Sequence, residues 1–220
     1  MSGGAHERVR KLEFDTTLHF LDKHLPPLAA VLQVGAEQGT YALHFARRGH
    51  RVIATDPVAA HVEALSAQAS AEGLMSLHLH EDDPTRLRVL SEWDIRGVLC
   101  LGPYHTLGAR DLRRRCLLEC RRVVHHCGIV ALSYLTRAAE PFLKDAHITT
   151  PEAVEAEVRS CGFEILEHLT TDGLCDTHRE SLERLAEEDY PDFLSAHLVH
   201  CCQPSYRNLG AHGLVILKKV

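Results

Sequence analysis

The sequence predicts a single doubly wound α/β domain built on a seven-stranded, mostly parallel sheet, and three observations carry that prediction. Short apolar runs alternate with helical patterns along the whole chain. A turn bounded by glycines, Gly35-Ala36-Glu37-Gln38-Gly39, follows the first run, and Asp56 ends the second. The 220 residues suffice for one well-buried core. Strands that alternate with helices need right-handed crossovers, so they build a parallel sheet covered on both faces. Ligands then bind at the carboxyl ends of the strands, beside the switch in strand order.

Val9, Leu12, Phe14, Leu18, Leu21 and Leu25 recur mostly at three- and four-residue steps, which predicts a helix over 7–24 stopped by Pro26-Pro27. The run 29–34 is a strand ending at Gly35, followed by a helix from Gln38 to Arg48 with Gly49 as its stop. The same unit repeats as strand 51–55, closed by Asp56-Pro57, and an alanine-rich helix over 58–72. A third strand covers 76–80, and the polar Glu81-Asp82-Asp83-Pro84 leads into a short helix. Strand 97–101, a long basic helix over 111–124, strand 128–134, a helix over 151–161 begun by Thr150 and Pro151, and strand 163–169 follow. A mostly helical insert at 181–201, within a lid segment spanning 171–210, precedes a last strand at 214–218.

Composition narrows the partners. Lys and Arg number 24 against 30 Asp and Glu, and a net charge of -6 argues against a phosphate backbone as the main partner and favours a small molecule. The arginines of 110–122 lie on a helix interrupted by leucines and lack an aromatic strip, which reads as a solvated face. No apolar stretch reaches a membrane span and no signal peptide opens the chain, so a soluble, cytoplasmic protein is expected. The eight cysteines are scattered and expected to stay reduced. Among 17 histidines the densest knots are His125-His126-Cys127 and the run His197, His200, Cys201, Cys202; with no CxxC or HExxH pattern beside them, no metal is expected.

Glycines in the first turn let the backbone approach a ligand, and the helix that follows turns its N–H groups into the crevice. An acidic side chain at the end of the second strand can accept from both hydroxyls of a ribose, which gives Asp56 its place in a nucleoside-binding site.

The stretch Val31-Leu32-Gln33-Val34-Gly35-Ala36-Glu37-Gln38-Gly39-Thr40-Tyr41-Ala42-Leu43 resembles the cofactor motif of class I S-adenosylmethionine-dependent methyltransferases, whose sheet is Rossmann-like. Val98-Leu99-Cys100-Leu101-Gly102-Pro103-Tyr104-His105 is similar to the fourth-strand motif of a subgroup of small bacterial and fungal members, and Thr171-Asp172-Gly173 and Leu209-Gly210-Ala211-His212 also resemble that subgroup. The resemblance implies S-adenosylmethionine as cofactor, with Gly35 and Gly39 along its methionine and ribose, Asp56 on the ribose, Asp83 near the adenine amino group, and Leu101 and Gly102 bordering the pocket. Three positions depart from the family pattern. Gln33 replaces an acidic residue, Glu37 replaces the middle glycine, and Pro84 has no N–H to offer adenine. His125-His126-Cys127-Gly128 stands where many members have a Pro-Gly-Gly turn.

Methyl transfer is an in-line displacement at a sulfonium carbon, so the protein aligns the acceptor and, for a hydroxyl, removes a proton. His105, just past the fourth strand, is the best-placed base; Tyr104 would shape or bond the acceptor, and His212, entering an antiparallel last strand, is a third candidate. Packing or capping is an equal role for each. Phe193, His197, His200 and Tyr206 of the insert would form an acceptor wall or an ordinary cover helix. The expected function is O-methylation of a small molecule in specialised metabolism. Two other readings stay open: a methyltransferase-like protein whose altered loop serves binding or another reaction, and a metal-dependent protein using the His197 to Cys202 run.

Overall fold

The computed structural model describes residues 3–88, 94–140, 145–173, 182 and 184–220. Seven strands form one sheet: β1 (Ala30–Val34), β2 (Arg51–Asp56), β3 (Leu77–Glu81), β4 (Ile95–Cys100), β5 (Ile129–Leu135), β6 (Phe163–Thr170) and β7 (His212–Lys219), in the order β3-β2-β1-β4-β5-β7-β6. β7 runs antiparallel to both neighbours, and every other pairing is parallel. This is the doubly wound, mostly parallel sheet expected from the sequence.

Side chains alternate across the strands and build two cores. Leu32, Val98, Val130 and Leu217 face α5 (Arg110–Val123) and α6 (Pro151–Ser160). Val31, Leu99, Ala131 and Ile216 face α1 (Gly3–His24), α2 (Thr40–Arg47) and α3 (Ala59–Ala71). With both faces covered, β1 and β5 are buried along their whole length, whereas the edge strand β3 carries exposed His78, His80 and Glu81. α6 opens as its sequence dictates: Thr150 Oγ1 accepts the Ala153 N–H at 3.3 Å and Pro151 fills the first helical position.

Three expectations change. No helix forms between Pro84 and Arg88; residues 83–86 make a turn closed by an Asp83–Arg86 bridge, and residues 89–93 lie outside the described residues. Asp82 accepts the N–H groups of Asp83 and Arg88, and Asp83 accepts that of Thr85, so short acidic side chains hold the backbone in a turn that a helix would have to break. A one-turn helix, α4 (Pro103–Thr106), follows β4 directly, with Pro103 at its start. The basic α5 is not a uniformly solvated face: buried Arg113 donates to the carbonyls of Leu107 and Gly108, and Arg121 donates to those of Gly162 and Val220. Within the insert, α7 (Tyr190–His200 by its observed bounds) packs Phe193 and Leu194 with Val9 and Leu12 of α1, while 174–181 and 183 lie outside the described residues. Among the described residues no helix is long and apolar enough to cross a membrane.

Candidate active site

Strand register alone gathers the site. Val34 pairs with Thr55 on one side and Cys100 on the other, and Asp56 pairs with Glu81, so Gly35, Asp56, Asp83 and Gly102 emerge along one edge. The switch in strand order lies between β1 and β4, which is where a parallel sheet opens a crevice.

Gly35 and Gly39 have φ of 67° and 69°, and each is closely approached: an added Cβ would lie 2.6 Å from Pro103 Cγ at Gly35 and 2.4 Å from Leu65 Cδ1 at Gly39. Only a residue without a side chain meets both demands. Because Gly39 flanks the start of α2 without a side chain, the helix lacks a local cap. Gln33 supplies it from β1, its Oε1 accepting the Ala42 N–H at 2.7 Å. Gln33 therefore holds the loop against the helix while bordering the crevice.

The crevice has two halves of about 310 Å³ each, both bordered by Gly35, Glu37 and Gly102. One half is lined by Asp56, Val58, His61, Asp83 and Pro84, the other by Arg10, Glu13, Gln33, Tyr41 and Leu101. Each volume is in the range of small-ligand cavities. Glu37 stands at the waist. It occupies a left-handed conformation, φ 47°, its N–H donates to Asp56 Oδ2 at 2.8 Å, and its Oε1 reaches to 3.9 Å from the position a Cβ on Gly102 would take.

Asp56 is buried at the end of β2, and its Oδ1 accepts the Val58 N–H and faces His61 Nδ1, both at 2.9 Å. A carboxylate offers about four acceptor positions, so one remains and a second is gained if the half-exposed His61 swings aside. Asp83 lines the same half with one oxygen held by Thr85.

The three proton-handling candidates separate. Tyr104 is 1% exposed, donates to Glu157 Oε2 of α6 at 2.5 Å and borders neither half; burial, then Glu157, push its hydroxyl far above the ordinary tyrosine range. The backbone turn of α4 points it into the core, where Glu157 takes its hydroxyl. His105 is held down to about 4, first by burial and then by His212 and His147, and its Nδ1 is buried without a partner among the described residues. His212, the first residue of β7, has Nδ1 at 3.2 Å from Asp172 Oδ2. Asp172 is buried and held by the N–H groups of Ala211 and His212 and by the Thr170 hydroxyl.

Glu13 and Asp172 take places the sequence reading did not assign. The Glu13 carboxyl, on α1 and lining the second half, is pushed up by burial, lowered by His212, raised by Asp172 and lowered by Arg10. Glu13 thus lines the crevice within electrostatic reach of Asp172 and His212. Asp172 had a signal, the Thr171-Asp172-Gly173 stretch beside the last strand, whereas Glu13 had only a place on an amphipathic helix. The His197 to Cys202 run does not gather: His197 packs against Gly173 and His200 stacks on Tyr206 at 5.6 Å, and these residues form none of the donor clusters found among the described residues.

Residues 31–128 match a family profile described as a methyltransferase domain. No curated protein matches the sequence significantly. Among solved structures, the chain is similar to the (4+2)-cyclase SpnF, at 17% identity over 94% of this chain and 81% of that one, with a TM-score of 0.67. It is also similar to an S-adenosylmethionine-dependent methyltransferase from Clostridium acetobutylicum, at 8% identity, 95% and 91% coverage and a TM-score of 0.69. A third is the 1,6-didemethyltoxoflavin-N1-methyltransferase of Burkholderia thailandensis, solved with 1,6-didemethyltoxoflavin and S-adenosylhomocysteine bound, at 17% identity, 97% and 78% coverage and a TM-score of 0.61. Identities this low carry the fold.

Proposed function

We propose that the chain is an S-adenosylmethionine-dependent methyltransferase that methylates a hydroxyl oxygen of a small-molecule acceptor, with His212 taking the hydroxyl proton; the match of residues 31–128 to a methyltransferase-domain profile and the fold shared with such enzymes support this reading. The observation that carries this reading is the pairing of the partly exposed His212 with buried Asp172, the imidazole Nδ1 lying 3.2 Å from the carboxylate.

The residues present suit that cofactor. Asp56 would hold the ribose and Asp83 the adenine amino group; in the other half, Glu37 is an anionic acceptor for an ammonium and Arg10 a cation for a carboxylate. When bound, S-adenosylmethionine supplies a methyl group already activated on a sulfonium, so the protein has to align the acceptor and handle one proton. Asp172 favours the His212 tautomer with hydrogen on Nδ1, which leaves Nε2 as the basic nitrogen. His105 stays neutral at working pH and adds no competing charge beside it. With an imidazole as the base, the acceptor is expected to present a phenolic or enolic hydroxyl, whose proton is acidic enough to be taken.

The test is calorimetric titration with S-adenosylmethionine and S-adenosylhomocysteine, followed by transfer of labelled methyl to a panel of phenols and enols. His212→Ala should lower kcat by about 100- to 10,000-fold with cofactor affinity unchanged. Cofactor binding with full transfer by His212→Ala would remove the base from this reading. Glu37 in the glycine loop favours a second reading, a methyltransferase-like fold performing other chemistry; the cyclase SpnF has a similar fold. Tight cofactor binding without transfer to any acceptor class would select it.

A further inference from the structure

The turn between α5 and β5, away from the crevice at the amino ends of the strands, places His125, His126 and Cys127 so that one donor atom from each lies within 4.8 Å of the other two. The turn is held rigidly. The His125 N–H donates to the Ile95 carbonyl at 2.9 Å, and the Gly128 N–H returns to the His125 carbonyl at 2.8 Å. A Cβ on Gly128 would meet the Arg96 carbonyl oxygen at 2.8 Å, so the turn is pressed against the start of β4. That contact sets His125 Nε2 3.6 Å from Asp94 Oδ1, while Asp94 Oδ2 is held by Arg96 at 2.8 Å. His125 Nδ1 faces inward and accepts the Cys127 N–H at 3.1 Å. The two imidazole rings lie 3.9 Å apart, and His126 and Cys127 are exposed, which leaves an open path from solvent.

We propose that this turn is a zinc site, with His125 Nδ1, an imidazole nitrogen of His126 and the Cys127 thiolate as protein ligands, water in the fourth position, and Asp94 as the carboxylate that orients His125 through Nε2–H. The donor set, two nitrogens and a sulfur, is one zinc favours over calcium or magnesium. In a tetrahedral shell with zinc bonds of about 2.0–2.3 Å, neighbouring donors lie about 3.3–3.7 Å apart. Closing the present spacing therefore takes rotamer adjustments of about an ångström. The metal would replace the single hydrogen bond to His125 Nδ1, and the Cys127 proton would leave to solvent on binding. Asp94, His125 and zinc then form the carboxylate–histidine–metal arrangement that fixes the tautomer of a ligand. Arg96 and Lys219 are the cations beside the turn, and they weaken the site relative to a closed four-ligand one.

The rival location is the buried trio Cys100, Cys116 and Cys120, whose thiols are pushed well above their ordinary range by their hydrogen bonds to one another and by burial. Tag-free full-length protein, competed against a chromophoric chelator, is expected to bind one zinc per chain, and cobalt in its place to show a thiolate charge-transfer band. Cys127→Ser and His126→Ala, both at exposed positions that leave the core intact, should each weaken binding by at least about 100-fold, and Asp94→Asn by about 10- to 100-fold. Unchanged affinity in Cys127→Ser, absence of the thiolate band, or loss of binding in Cys116→Ala alone would overturn the proposal.

Discussion

Glu37→Gly separates the two things Glu37 does, holding the loop and placing a carboxylate at the waist of the crevice. At φ 47° an L-residue costs about 1 kcal/mol, and glycine relieves this. Glycine also gives the unfolded chain more freedom, which costs about 0.5–1 kcal/mol, so the two terms nearly cancel. The 2.8 Å bond to Asp56 comes from the backbone N–H and survives the substitution. Folding stability should therefore stay within about 0.5 kcal/mol, a melting shift of at most about 2 °C for a chain of this size. Binding should respond more. A hydrogen bond between ionised partners contributes about 1.5–3 kcal/mol, and because Glu37 is exposed the lower end applies, which is about tenfold in Kd. Calorimetry with S-adenosylmethionine and S-adenosylhomocysteine, beside a thermal melt, reads both terms. Equal tenfold losses for the two ligands place the carboxylate on the shared ammonium, and a larger loss for the sulfonium form places it near the sulfur. Tighter binding in Glu37→Gly would refute the reasoning, since it would mean that the side chain obstructs the site.

Tyr104→Phe removes the bond to Glu157 without touching the crevice, so it should cost about 1–2 kcal/mol in denaturant unfolding while kcat stays within about twofold; a kcat collapse with stability intact would return Tyr104 to the chemistry. Gly39→Ala combines a forbidding φ with a Cβ 2.4 Å from Leu65 and should cost about 2–4 kcal/mol, seen as a lowered melting temperature with weakened cofactor binding. Acidification should destabilise the fold from near pH 6.5 down to about 4, because the unfolded His105 takes up a proton in that window and the folded one, held down to about 4, does not. His147 and His197, both lowered by burial, act in the same direction; a pH-stability curve flat between 7 and about 4.5 would contradict this.

Periodicity and turn chemistry are local, and they let the sequence by itself determine the seven strands, most of the helices that pack on them, and the glycine turn with Asp56 at the end of the next strand. α1, α3, α5 and α6 lie within a few residues of the patterns that predict them, because each buries an apolar stripe against a sheet face. Direction is not local. That Tyr104 turns into the core toward Glu157 depends on one turn of helix started by Pro103, too short to leave a periodic signal. The Asp172–His212 pair joins residues 40 positions apart, and Glu13 enters the crevice lining from the far end of the chain, so only the antiparallel insertion of β7 and the docking of α1 place them. Gln33 shows the same limit within the motif itself. As sequence it is a departure in a cofactor loop, and in three dimensions it is the cap of a helix whose own first position had to be glycine.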